Sequence, residues 1–548
     1  MTTAFEISDE LTERWADADP ITATTYGIGG RDHLCTDYSP EGHQRRADLY
    51  REMHGRLSAF CTDVDPVEAF AARVMTGWLA EQVDDHEAGK WRRDLNHVYS
   101  PFQITRDVFD VMDRETPEGW AVIEARIQGF GEALDGYRLS LAEGLDAGET
   151  AAARQVMSLV DQVDAAASDE SRFISFIRQA EGAGVDSESL RTKVDQTRAA
   201  CAGFSEWLRA NYLPAARPSD AVGRDEYLRE ADRHLGLVID PEATYDWGWG
   251  EVHRLREEMA TTSAMIDPHR SVDQVIELLD TDPNRAAATR AEFVGFISDI
   301  QQQAIELLAG AHFDVAKELR TVTVNIAPPG GSLGAWYVSP AEDFSRPGSI
   351  WYAPGERESL PYWQEVSTAY HEGFPGHHLQ VGTAVLEREN LSRFQRSAIW
   401  YSGAGEGWAL YAERLMDELG FFEKPEYRLG LLASQLFRSI RVVVDIGCHL
   451  ELAIPDHAPL HGGEVWNYEA AVDYIEHVGL QPHDVAVSEV LRYLGWPGQA
   501  ISYKVGEREI LNMRDRASGK AGFELKDFHR RMLAAGAIRI DQLAEEMA

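Results

Sequence analysis

The sequence predicts a large, mainly α-helical fold with one small β-hairpin or short sheet beside its functional helix. Three observations lead there. Apolar residues recur every three or four positions over most of the 548 residues, one stretch alternates with period two, and a histidine-rich motif follows that stretch directly. Hydrophobic residues make up 44% of the chain, ample for a large packed core, and aromatics at 10% exclude a disordered one.

In chain order, amphipathic helices are predicted in "AFAARVMTGWLAEQV" from Ala69, "AAARQVMSLVDQVDAAA" from Ala151 and "SLRTKVDQTRAACAGFSEWLRANYL" from Ser189. "LPAARPSDAVGRDEYL", from Leu213, carries two prolines and a glycine. It separates an N-terminal helical region, 1–215, from a second helical region, 216–548. Helices resume in "WGWGEVHRLREEMATTSAMI" and "ATRAEFVGFISDIQQQAIELLAG". "TVTVNIAPPGGSLGAWYVSP", from Thr321, breaks the rhythm: Val322, Val324 and Ile326 alternate with polar residues, a Pro-Pro-Gly-Gly turn follows, and "AWYVSP" and "SIWYAP" read as further short strands. Two or three strands are therefore expected around 321–352, their edge open to an extended peptide. No repeat or low-complexity tract interrupts the chain.

The formal net charge is −39. Such a surface repels phosphate backbones and anionic lipid, which argues against nucleic-acid and membrane partners and for a highly soluble protein. Cys35, Cys61, Cys201 and Cys448 are scattered without a CxxC pair. That pattern fits reduced thiols and offers no thiolate metal site. The acidic opening "MTTAFEISDELTERWADADP" has no readable signal peptide, and no apolar run approaches membrane-spanning length. A cytoplasmic location is the resulting expectation; the oligomeric state stays open.

The motif "YHEGFPGHHLQ" spans residues 370–380. His-Glu-x-x-His places two imidazoles on one helical face with a carboxylate beside them. Here Pro375 stands where the second histidine belongs, and His377 and His378 arrive late. On a continuous helix His371 and His377 are offset by roughly 9 Å and about 240°, too far apart to share one ion. Pro375 and Gly376 can deform the chain there. With the two extra residues treated as an insertion, His371 and His377 become a normal pair. His377 is therefore expected to be the ligand, and His378 to support one or to touch substrate.

"YSGAGEGWALYAERLMDELG", from Tyr401, supplies Glu406 as a third ligand in a glycine-rich helix start, and Glu413 two turns on to orient a ligand histidine. Glu372, next to His371, is placed to take a proton from water. In "SQLFRSIRVVVDIGCHLEL", Arg441, Asp445 and His449 recur at helical spacing with Arg438 nearby, a polar stripe on an otherwise apolar helix. Charges inside a core must be paired, so the stripe is either an ion-pair ladder or a surface facing substrate. "LGWPGQAISYKVG" adds Tyr503, whose hydroxyl can donate to an oxyanion, and Lys504.

These motifs, "YHEGFPGHHLQ", "EGWALYAERL", "RSIRVVVDIGCH" and "YLGWPGQAISYKVG", resemble the bacterial domain-of-unknown-function 885 family in order and spacing, as does "ADADPITATTYGIGGRDHLCTDYSPEG" near the start. The family is similar to helical zinc peptidases of the carboxypeptidase Taq type, whose Glu-x6-Glu pattern Glu406 and Glu413 reproduce. The resemblance implies a helical, zincin-like metallopeptidase fold with one zinc ion and a peptide or small amide substrate. A metal-dependent hydrolase of a non-peptide amide or ester is the alternative, followed by an inactive binding protein of the same fold. A di-iron site is disfavoured because none of the 18 histidines has Glu three residues before it. No G-x-S-x-G elbow points to a serine hydrolase.

Overall fold

Helix after helix in this chain opens on the same device, a side-chain oxygen at the N-cap followed by proline in the first turn. Asp65 accepts from the Val67 N–H, Thr116 from Gly119 and Asp240 from Ala243, ahead of helices α1 (Pro66–Glu87), α2 (Pro117–Ala147) and α7 (Pro241–Ile266). The cap satisfies a donor that the first turn leaves open, and proline has no N–H to satisfy. The structure is a computed structural model that describes residues 3–60, 65–327, 334–355, 357 and 359–548. Cys61 and the expected Pro-Pro-Gly-Gly turn lie outside the described residues.

The chain divides into two units. The first comprises Met1–Ala221 with the short segments Ser392–Ala398 and Leu494–Trp496. Its core is built by α2 with α3 (Ala153–Ala167), α4 (Arg172–Gly182) and α5 (Glu188–Trp207). The second comprises Val222–Leu391, Ile399–Tyr493 and Pro497–Ala548. Its principal elements are α6 (Arg224–Leu235), α7, α8 (Arg290–Leu308), α9 (Glu365–Glu372), α10 (His377–Leu386), α11 (Ser402–Glu418), α12 (Pro425–Leu450), α13 (His483–Gly495) and α14 (Ser502–Ser518). The α7 helix packs along α12, and α11 along α14. No described helix is long and apolar enough to cross a membrane.

The fold is therefore mainly helical, as the periodicity predicts, with a short sheet beside the motif helix. Strands β1 (Thr323–Ile326), β2 (Gly334–Val338) and β3 (Ser349–Ala353) form it in the order β1-β3-β2. Consecutive strands β1 and β2 are not hairpin partners: β1 runs parallel to β3, and β2 antiparallel to it. The central strand buries Ile350 and Tyr352 on one face, and the half-buried Val324 and Ile326, their partners across the ladder, flank them. Phe293 and Ile297 of α8 and Ala369 of α9 close this small core, which fixes the motif helix against the sheet.

Candidate metal centre

The motif helix stops where the sequence places its two extra residues. Helix α9 ends at Glu372, a four-residue link with a cis Phe374-Pro375 bond follows, and α10 begins at His377. A buried chain break leaves backbone groups to satisfy. Gln301 of α8, itself buried, donates to the Ala369 carbonyl at 2.7 Å and accepts from the Phe374 N–H at 2.6 Å. The Trp408 indole donates to the Pro375 carbonyl at 2.9 Å. Gly376 then passes so close to α9 that a Cβ there would lie 2.0 Å from the His371 carbonyl oxygen and 2.4 Å from that of Tyr370. Only glycine permits that return, and it delivers His377 to His371.

Glu406 arrives from α11 by a similar close approach. A Cβ at Gly407 would fall 2.5 Å from the backbone of Gly506, and one at Gly506 would fall 2.0 Å from the Gly403 carbonyl. The α11 and α14 helices thus cross without intervening side chains, and Tyr503, one turn before Gly506, comes beside the same site. Its ring stacks over that of His371 at 6.4 Å and 18°.

The His371 and His377 rings meet nearly at right angles, 88°, with centroids 4.9 Å apart. Their Nε2 atoms lie 3.3 and 3.5 Å from the same Glu406 Oε2. Ligand atoms of these three residues all fall within 4.8 Å of one another, the one such group among the described residues. Donors around a tetrahedral ion with bonds of about 2.0–2.1 Å sit roughly 3.3 Å apart, so the spacing suits a single small cation.

Tautomer logic points the same way. Glu413 Oε1 lies 2.7 Å from His371 Nδ1, and the carboxylate also accepts from Ser367 and, at 3.4 Å, from Ser434. A carboxylate only accepts, so Nδ1 carries the hydrogen and Nε2 presents its remaining position to Glu406. Glu406 Oε2 is buried and makes no hydrogen bond. Two imidazoles converging on one buried carboxylate oxygen require a positive charge between them, a proton or a metal ion. Electrostatics agree in direction. Burial opposes the charge on His371, but Glu406 and Glu413 push its pKa up to about 10. Burial likewise works against ionised Glu406, yet His377 and His371 hold it well below the usual carboxylate range. Glu372 is half-buried; burial raises its pKa against the opposing pull of His371 and His377.

Other predicted residues stand elsewhere. His378 is fully buried, with Nε2–H directed to the Leu319 carbonyl at 3.0 Å and Nδ1 3.1 Å from the Tyr337 hydroxyl of β2. It ties α10 to the sheet, and burial lowers its pKa to about 4, consistent with a neutral ring. Asp445 accepts from Tyr227 of α6 at 2.7 Å and from the Gly498 N–H at 3.0 Å; His449 lies 3.0 Å from the Tyr493 carbonyl. Lys504 is taken by Gln435 and Glu507, both at 2.6 Å. Those three residues brace helices and do not join the ligand group. Arg438 and Arg441, in contrast, lie over the Tyr503 ring, at 6.0 and 4.8 Å from its centroid. Sequence reasoning missed Gln301, Trp408, Ser367 and Ser434. Each acts through hydrogen bonds to residues distant along the chain, which leave no local pattern to read.

Fold and site together define a large helical protein carrying a candidate His-His-Glu metal centre. The chain belongs to the bacterial protein family of unknown function DUF885, whose model matches residues 20–547. A solved structure from Colwellia psychrerythraea, described as a candidate lipoprotein, is 21% identical with a TM-score of 0.86, covering 99% of this chain and 98% of that one. Another from Shewanella oneidensis, described as a candidate lipoprotein of unknown function, is 17% identical with a TM-score of 0.74, covering 100% and 99%. These likenesses establish the fold alone. Pyrococcus furiosus carboxypeptidase aligns at 12% identity, over 98% of this chain and 90% of its own, with a TM-score of 0.36, a level that carries no argument about activity. No curated protein matches the chain.

Proposed function

We propose that this protein is a zinc-dependent hydrolase acting on peptide bonds, with His371, His377 and Glu406 holding the ion. The carrying observation is the convergence of both Nε2 atoms on one buried, otherwise unbonded Glu406 oxygen. Two imidazoles and one carboxylate are a donor set of open, catalytic zinc sites. When bound there, zinc lowers the pKa of a coordinated water and polarises the scissile carbonyl.

The chain's own residues supply the remainder. Glu372, next to the ligand His371 and made more basic by burial, takes the proton of the attacking water and passes it to the leaving amine. Tyr503, stacked over His371, donates its hydroxyl hydrogen to the oxygen that becomes negative in the transition state. Glu413 fixes the His371 ring through Nδ1–H.

Purified protein should contain one zinc per chain and cleave members of a random peptide library, with cleavage lost on chelation and restored by zinc. His377→Ala should lose the metal, and His378→Ala should retain it. Full zinc in both variants would remove this motif from metal binding, and zinc-loaded protein that cleaves no amide or ester would reduce it to a binding protein.

A further inference from the structure

The three candidate ligands are not equally sheltered. Side-chain exposure is 4% for His371, 10% for His377 and 16% for Glu406. An ion held between them is therefore reached from the side of His377 and Glu406, and one ring stands there. Trp400 lies 5.9 Å from the His377 ring, tilted by 54°. Its benzo edge rests on the start of α11. A Cβ at Gly405, the residue before Glu406, would fall 2.1 Å from Trp400 Cζ2 and 2.6 Å from Cη2.

Core packing does not require an indole in that place. Trp400 is 39% exposed, although its chain neighbours Ile399 and Tyr401 are buried and the Tyr401 N–H donates to the Ala537 carbonyl at 2.9 Å. Trp408 of the same helix, in contrast, is buried with its N–H bonded to the Pro375 carbonyl. Of the large hydrophobic side chains exposed among the described residues, Trp400 is the one whose ring meets a candidate ligand. Anchored backbone on both sides and the seat that Gly405 leaves hold the ring ready, so a partner that covers it orders little on arrival. Apolar surface left in water favours an apolar cover, and an aromatic cover adds stacking. A cationic cover is opposed, because an ion bound through His377 puts positive charge beside the ring. With consecutive Cα atoms about 3.8 Å apart, a ring this close to a ligand is within reach of the residues that flank the bond being cut.

Building on the zinc-peptidase reading, we propose that Trp400 determines specificity. Its indole face stacks on an aromatic side chain of the substrate residue next to the scissile bond, so the enzyme selects peptides with an aromatic residue at the cut.

The test walks one phenylalanine, and in a second series one lysine, through the six positions of an alanine hexapeptide. Zinc-loaded protein is read by mass spectrometry for the bond cut, and the metal-free full chain by calorimetry for binding. Cleavage should fall at a bond flanked by Phe, with kcat/KM about 10–100-fold above the all-alanine peptide, and binding should favour Phe in the same direction. Trp400→Ala should bring both Phe-to-Ala ratios close to one at unaltered zinc content, and Trp400→Phe should restore most of each. A merely structural Trp400 would lower Phe and Ala peptides alike and keep the ratios. Ratios kept in Trp400→Ala, wild-type ratios near one, or lysine favoured over phenylalanine would overturn the aromatic subsite while leaving the peptidase standing. If zinc-loaded protein cleaves no hexapeptide, the peptidase reading falls, and the calorimetric ratio with its loss or survival in Trp400→Ala still decides on the subsite.

Discussion

Around Phe173, in the first unit, rings meet rings: Phe130 lies 5.2 Å away edge-on, Phe176 6.0 Å and Phe109 6.1 Å. The fully buried cation there, Arg126, spends its donors on main-chain oxygens of Leu34 and Arg31 and on the Thr24 hydroxyl. Around His371, in the second unit, the partners are instead carboxylates, Glu413 at 2.7 Å and Glu406 at 3.3 Å. The first arrangement is what apolar burial alone selects. The second gathers ionisable groups whose pKa values are pushed apart by burial and by one another, the pattern of a functional site. The first unit thus shows apolar packing around Phe173, and the second a candidate metal centre around His371.

The sharpest way to test that division is Glu372→Gln. Hydrolysis should fall by about 10²–10⁴ while zinc stays stoichiometric, measured as turnover and metal content of the same sample. Next is the opposite kind of change. Phe173→Ala should cost about 3–5 kcal/mol in a denaturant titration, with zinc per folded chain unaltered; loss of zinc alongside stability would erase the contrast. Tyr503→Phe should lower kcat roughly 10²–10³-fold with little change in KM, because its donor is used in the transition state. Glu413→Gln should weaken zinc binding about 10–100-fold, seen by competition with a chromogenic chelator, since the amide no longer enforces Nδ1–H on His371.

The smallest effect concerns pH. Burial pushes Asp445 up to about 7, so the folded chain keeps a proton that the unfolded chain has already released. Its contribution to stability is complete in acid and declines as pH rises from the ordinary carboxyl range through about 7. Thermal melts should show Asp445→Asn flattening that decline. A variant that tracks the wild-type profile would mean that other groups set it.

What the sequence by itself determined is what local pattern can carry. The 3.6-residue period placed α1, α3, α5, α7 and α8 because a helix must bury a stripe of its own surface. The types and order of His371, Glu372, Glu406 and Glu413 were legible because chemistry restricts which residues can bind a metal or move a proton. Tertiary structure decided the rest. Whether His377 or His378 turns toward His371 depends on Gln301, on Trp408 and on the narrow gap that Gly376 fills, all contacts distant along the chain. Strand β1 pairs with β3 rather than its neighbour β2, a choice that period-two alternation does not encode. Arg441, Asp445 and His449 share one stripe in the sequence. Only packing shows that Asp445 and His449 brace helices, and that Arg438 and Arg441 lie over the Tyr503 ring. A side chain's partner is fixed by the approach of other elements, and that approach is a property of the whole fold.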